Sequence, residues 1–214
     1  MPPVYHFCEQ YSDQYDRLKL GLPTSSSFDK IITPDGKPSK SWEKYAYHLI
    51  AERCLERHIN TYTSPYMETA LMSEADAAAW YEFDHEVQVK KVGFVTNEKK
   101  TIGCSPDRLV GEDGLLEIKC PQPQTQIEYL LTGKVDRKYW PQLQGQLFVT
   151  ERRFVDIVAW HAELPRTVIR VERDVEYIAC LEKLLENFNT FLESVMDKIS
   201  SVVHPEPPNY LLAC

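Results

Sequence analysis

The chain has 214 residues, with 24 Lys and Arg against 32 Asp and Glu, a formal charge of −8. Its 43% hydrophobic and 26% charged content excludes bulk disorder, and the acidic excess excludes a protein that coats nucleic acid through bulk charge. The length suits one domain over 1–214 with an ample core. No apolar run reaches the ~20 residues that span a bilayer, and MPPVYHFCEQ lacks the basic start and apolar centre of a leader, so a cytoplasmic protein is expected. The cysteines at 8, 54, 104, 120, 180 and 214 form no C-x-x-C pair, which points to reduced thiols rather than a zinc ribbon or a disulfide framework.

Residues 1–40 mix polar and turn-forming types, with a strong turn at Pro34-Asp35-Gly36-Lys37-Pro38, and are expected to hold at most one short helix. Over 41–59, Tyr45, Leu49, Ala51 or Cys54, Leu55 and Ile59 recur at helical spacing. A second helix is predicted from Ser64-Pro65, a cap followed by proline at the first helical position, through Phe83. Val87, Val89, Val92, Phe94 and Val95 then signal strand, turning at Asn97–Lys100 and again at Gly111–Gly114 into Leu115–Cys120. Helices at 123–132 and 138–150 flank a basic loop. Strands follow at 154–161 and 167–172. A long helix over 174–200 carries Val175, Ile178, Leu181, Leu185, Phe188, Leu192, Val195 and Ile199 on one stripe, a core-packing pattern, and the tail 201–214 is broken by prolines.

Chemistry concentrates in Ser105-Pro106-Asp107 and Leu116-Glu117-Ile118-Lys119. Residues two apart on a strand share a face, so Glu117 and Lys119 project together while Leu116 and Ile118 face an apolar side. A hairpin centred on 111–114 brings Asp107 opposite Glu117 or within one residue of it. Two carboxylates and an ammonium then converge, a hard oxygen set suited to Mg²⁺ or Mn²⁺. Acid-x-Lys by itself is weak, because it recurs at Asp35, Glu98 and Asp136, where turns and solvated faces explain it.

Pro106-Asp107 with Glu117-Ile118-Lys119 resembles the PD-(D/E)xK nuclease motif. The blocks LKLGLPTSSSF, the helix around Glu74, GCSPDRLVGEDGLLEIKCP and YWPQLQGQLFVT resemble, in the same order, the phage lambda exonuclease and viral recombinase exonuclease family. The resemblance implies an α/β PD-(D/E)xK core, a mixed and mostly antiparallel sheet flanked by helices. It implies a Mg²⁺-dependent (or Mn²⁺-dependent) exonuclease that digests duplex DNA from the 5′ end, in a bacterial cytoplasm and of phage or prophage origin. By resemblance Asp107, Glu117 and the Ile118 carbonyl hold the metal, Glu74 completes the acidic shell, and Lys119 positions and activates water. Gln142 of a helical Gln-x-Gln lines the site; an exposed helix face would equally explain it and Gln144. Ser105 and Ser26 match the cradle of the 5′ phosphate, Ser26 being ambiguous among three serines. Where the family has Arg this chain has Lys19, so the pocket is weaker or Arg17 contributes. Relatives form a homotrimeric ring and work beside a single-strand annealing protein.

Other features carry less. Met67 matches an apolar wedge of the family, or makes an ordinary helix-end contact. Lys134, Arg137 and Lys138 form the densest basic loop, which fits a DNA-backbone track and a solvated cluster equally. Cys54 and His58 have ligand spacing but no further partners, and Cys120 reads as a buried strand-end thiol. Rival readings are a structure-selective or site-specific endonuclease on the same core, and a catalytically silent DNA-end-binding module.

Overall fold

The computed structural model describes residues 2–59 and 65–203, with the backbone alone for 65–72 and 203. The opening segment is more ordered than its composition suggests. It contains β1 (Pro3–His6), α1 (Asp13–Lys19) and a 3-10 helix at Ser25–Lys30. The strand was illegible locally because a partner far along the chain creates it: β1 pairs antiparallel with β3 (Phe94–Asn97), His6 opposite Phe94. Ser12 caps α1 by accepting from the Tyr15 N–H at 3.3 Å. The helix stops at Gly21, whose φ of +62° and close approach to the Arg53 side chain leave no room for a Cβ. Two bonds lock that corner, from the Arg53 Nε to the Gly21 carbonyl and from the Gly21 N–H to the buried Glu52 carboxylate.

Two helices follow, α2 (Trp42–Leu55) and α3 (Pro65–His85). α2 buries Tyr45, Ala46, Leu49 and Ile50. Cys54 and Leu55 are exposed instead of sharing the stripe, because the helix ends at the left-handed Glu56 with its last turn clear of the core. His58 lies near Glu52 Oε1 and the Asp16 carbonyl, so it makes a structural contact and no metal pair with Cys54. The predicted cap at Ser64 and the tail beyond 203 lie outside the described residues.

The strand region divides between two sheets where a single meander was expected. β1, β3 and β4 (Gly103–Cys104) form one sheet. The other runs β2 (Val89–Lys90), β5 (Arg108–Val110), β6 (Gly114–Lys119), β7 (Phe154–Ala159), β8 (Thr167–Glu172). Only β6–β7 is parallel, the remaining pairs being antiparallel. That parallel step needs a long crossover, supplied by α4 (Pro123–Thr132) and α5 (Trp140–Thr150). Arg152 follows α5 and donates to the carbonyls of Val110, Gly111 and Gly114, which pins the β5–β6 turn.

Helices cover both faces of the larger sheet. Leu115, Val155 and Ile157 join the main core with α2, α5 and α6 (Val175–Val203), while Leu116 and Val158 pack with Ala77, Ala78 and Tyr81 of α3. On α6 the stripe Ile178, Leu181, Leu185, Phe188 and Leu192 is buried, but Val175 is 76% exposed at the helix start. Gly145 in mid-α5 admits the Phe28 ring, which a Cβ would meet at 2.4 Å, and so joins α5 to the 3-10 segment. Asp156 of β7, fully enclosed, accepts from Tyr81 of α3 at 2.5 Å and from two Arg170 nitrogens at 2.8 and 2.7 Å. This clamp fixes α3, and therefore the helix that carries Glu74, against the sheet.

Candidate active site

The site forms where the chain passes from one sheet to the other. Ser105-Pro106-Asp107 joins β4 to β5, and Pro106 has no N–H to give either ladder. Arg108 pairs with Leu116 and Val110 with Gly114, so one step beyond the ladder Asp107 is level with Glu117. Asp107 Oδ2 accepts from the Ile118 N–H at 2.6 Å. Side chains alternate along β6: Ile118 packs with Leu116 toward α3, while Glu117 and Lys119 face α5.

Glu117 is held from three directions. Lys119 Nζ and Gln142 Nε2 each donate to Oε1 at 2.7 Å, and Gln146 Nε2 donates to Oε2 at 2.7 Å. Gln142 and Gln146 are four apart on α5 and so share a face. Gln144 points elsewhere, donating to the Glu172 carbonyl and accepting from the Asp174 N–H, which ties α5 to the start of α6. The structure thus separates the Gln-x-Gln pair and adds Gln146, whose signal in the sequence was its i+4 spacing from Gln142.

Burial, together with the charges of Glu117 and Glu74, raises the Asp107 carboxyl well above the ordinary range, despite the Ile118 N–H and Lys119. Burial opposes the charge on Lys119, but Glu117, by charge and hydrogen bond, outweighs it and raises the ammonium above its ordinary range. Glu74 reaches the site beside Arg108, whose Nη1 donates both to Glu74 Oε1 and to the Asp107 carbonyl. Among the described residues no three His, Cys, Asp or Glu side chains form a ready-made metal set. The donor set that fits a metal is therefore the facing pair Asp107 and Glu117. Three carboxylates against two cations leave negative charge to be offset, as suits a hard divalent ion that keeps several waters.

A second group of residues adjoins this cluster. Ser105 Oγ shares a 3.0 Å hydrogen bond with the Tyr15 hydroxyl, and Lys19 Nζ lies 5.5 Å from the Tyr15 ring centre. Burial lowers the Lys19 ammonium below its ordinary range, against Asp16 and Glu52. Ser26 is exposed and bonds Thr24, which bridges to Gly103 two residues before Ser105. Arg17 is exposed on α1. Lys134, Arg137 and Lys138 are exposed as well. Arg137 pairs with Asp35 and Lys138 with Asp136, both at the surface. Tyr139 was overlooked in the sequence; its ring centre lies 4.8 Å from Lys119 Nζ and 4.9 Å from Lys138 Nζ, joining that loop to the cluster. Met67 belongs to α3, but its side chain lies outside the described part. Cys120 is half-buried, not enclosed as expected.

This architecture is the PD-(D/E)xK nuclease fold. Residues 14–153 match the YqaJ-like viral recombinase domain, and the chain belongs to that family. It is similar to LHK-Exo, an alkaline exonuclease from Laribacter hongkongensis, with 30% identity over 90% of this chain and 98% of that one, at a TM-score of 0.79. The structure of LHK-Exo in complex with dAMP gives 29% identity, the same coverage and a TM-score of 0.80. A phage-related exonuclease from Haemophilus somnus 129PT shares the fold at 16% identity over 84% of this chain and 96% of that one, with a TM-score of 0.61. No curated protein matches the sequence. No described helix is long and apolar enough to cross a membrane.

Proposed function

We propose that this protein is a Mg²⁺-dependent 5′-to-3′ exonuclease on double-stranded DNA, releasing 5′-mononucleotides and leaving a 3′ single strand for recombination by annealing. The observation that supports this most is the cluster of Asp107, Glu117 and Lys119, with Asp107 pushed upward by burial and by the charges of Glu117 and Glu74. Held by Asp107 and Glu117, with the Ile118 carbonyl and Glu74 contributing, Mg²⁺ (or Mn²⁺) would polarise the scissile phosphate as a Lewis acid. Gln142 and Gln146 fix the Glu117 carboxylate in one orientation. Lys119, held as an ammonium, cannot act as a base; it orients the attacking water and places positive charge where the transition state develops negative charge. In-line attack expels the 3′ oxygen and leaves a new 5′ phosphate on the shortened strand.

Ser105, Lys19 and Ser26, with Arg17 nearby, are assigned to the terminal 5′ phosphate, and Lys134, Arg137 and Lys138 to the DNA backbone. Because Ser105 and Asp107 are two residues apart, the two phosphate positions flank a single nucleotide, which favours release of mononucleotides. That the relative LHK-Exo forms a complex with dAMP, a deoxynucleoside monophosphate, agrees with such a product. The family membership supports phage origin, a homotrimeric ring around the duplex and an annealing-protein partner as part of the same reading.

Linear duplex labelled separately at each 5′ and 3′ terminus tests it. Mononucleotide carrying the 5′ label should be released first, only with Mg²⁺ or Mn²⁺, and covalently closed circular duplex should stay intact. Cleavage of the closed circle would overturn the end-directed reading in favour of an endonuclease, and no cleavage of any substrate would favour the silent end-binding module.

A further inference from the structure

We infer that Tyr11 forms a stacking subsite for the base of the 5′-terminal nucleotide, an inference that rests on the exonuclease reading above. Tyr11 is 62% exposed and has a φ of +65°, a left-handed conformation that disfavours every residue except glycine and its few tolerant neighbours. The other described non-glycine residues with such backbones have plain structural reasons: Glu56, Glu86 and Glu151 follow helices and Lys100 closes a hairpin turn. Tyr11 has one too: it is the third residue of the Glu9–Ser12 turn, closed by the Ser12 N–H on the Glu9 carbonyl at 3.3 Å. That turn, just before α1, sets an exposed aromatic ring at a particular place.

That place lies beside the active site. Tyr11, Lys91, Glu74, Asp107 and Arg108 line one cavity of about 230 Å³. The Tyr11 ring centre is 5.8 Å from that of Tyr15, the residue bonded to Ser105. Glu74 and Asp107 are close enough that their charges, after burial and Tyr15, help raise the Tyr11 phenol above its ordinary range. A terminal nucleotide with its 5′ phosphate at Ser105 and Lys19 and its 3′ phosphate at Asp107 has both ends anchored against these neighbours of Tyr11. Its base is assigned to the cavity, which Asp107 and Tyr11 both line. The cavity is smaller than the ~300–1,000 Å³ pockets that enclose drug-sized ligands, so it has room for a base rather than a whole nucleotide. An exposed ring stacks on the face of any base, as a sequence-independent exonuclease requires. Lys91 on the same cavity gives an anionic strand a cation beside the two acids.

The test is a 5′-phosphorylated duplex with 2-aminopurine at the 5′-terminal position, mixed with the full chain and Ca²⁺ in place of Mg²⁺ to suppress turnover. Stacking on Tyr11 should quench the fluorophore on binding, and the same fluorophore at the 3′ terminus should not respond. Tyr11→Ala should abolish the quench and raise KM for duplex ends by about tenfold, the effect expected for one lost stacking contact. Tyr11→Phe should preserve the quench. Tyr11→Gly relaxes the backbone, so it guards against misfolding as the explanation and should behave as Tyr11→Ala does. An undiminished quench in both Tyr11→Ala and Tyr11→Gly overturns the subsite. Wild-type release of 5′ label with Mg²⁺ is measured alongside, so failure of the subsite is distinguishable from failure of the exonuclease reading.

Discussion

Asp107 and Glu117 stand level with each other on one hairpin, and their surroundings differ. Glu117 receives three donors from β6 and α5 and is 4% exposed. Asp107 receives one backbone N–H, faces two other carboxylates and sits high in its titration. A buried acid satisfied on all sides is part of the scaffold as well as of the chemistry, whereas an acid left short of positive charge marks where a cation belongs. The hairpin therefore holds one carboxylate oriented by three donors and one short of positive charge.

The largest break in this arrangement is Lys119→Ala. It removes a cation that Glu117 holds charged, and nucleotide release should fall by roughly 10²–10³-fold, the scale set by loss of one transition-state donor. Binding of duplex ends in a gel-shift assay should survive, since Ser105, Lys19 and Ser26 are intact. Undiminished release would exclude the assigned role of Lys119.

The two acids should also respond to neutralisation with opposite signs. Glu117→Gln presents an amide to three donors and loses bonds to a charged acceptor, costing about 2 kcal/mol, or roughly 4–8 °C of Tm in a domain of this size. Asp107→Asn keeps an acceptor for the Ile118 N–H and removes the unfavourable charge, so the metal-free protein should melt higher than wild type. The sign follows from linkage. The folded-state pKa of Asp107 lies above its unfolded value, so the native state holds the extra proton and wild-type stability falls as pH rises from about 4 through the raised pKa. The Asp107→Asn variant lacks that fall, and its Tm advantage should widen with pH over the same window. Melting curves in EDTA that move both variants the same way would remove the distinction between the two acids.

The hairpin was legible in the sequence because strand alternation and a three-residue turn fix its register locally, placing Asp107, Glu117 and Lys119 without long-range information. Helices α4 and α5 and strand β8 were equally plain, each having a continuous local pattern. What long-range pairing decides was not legible: β1 exists through β3, and the change of sheet at Pro106 leaves no periodicity to read. Gln146 offered only its i+4 spacing from Gln142, and its bond to Glu117 depends on β6 packing against α5. Tyr11 had no signal at all, since its left-handed φ is a property of the fold. Glu74 could be placed on its helix, but its bond to Arg108 depends on where α3 lands, which the Tyr81–Asp156–Arg170 clamp sets two turns further along the same helix.

A smaller effect sharpens the contrast between the carboxylate cluster and the adjoining phosphate pocket. Lys19 is pulled below its ordinary range by burial, although Asp16 and Glu52 oppose that shift. Its native state therefore releases the proton earlier than the unfolded chain, so its linkage term favours folding as pH rises through the lowered pKa toward 10.5. The phosphate contact moves the other way, because the neutral amine has no charge to offer. The preference for 5′-phosphorylated over 5′-hydroxyl ends, measured as a ratio of kcat/KM, should therefore decline with pH in the wild type. Lys19→Arg keeps its charge throughout and adds a planar fork that matches phosphate oxygens. Its ratio should stay level across the alkaline range and exceed the wild-type value at the upper end. Parallel pH profiles for the two proteins would remove Lys19 from the pocket and leave Arg17 as the basic residue to examine.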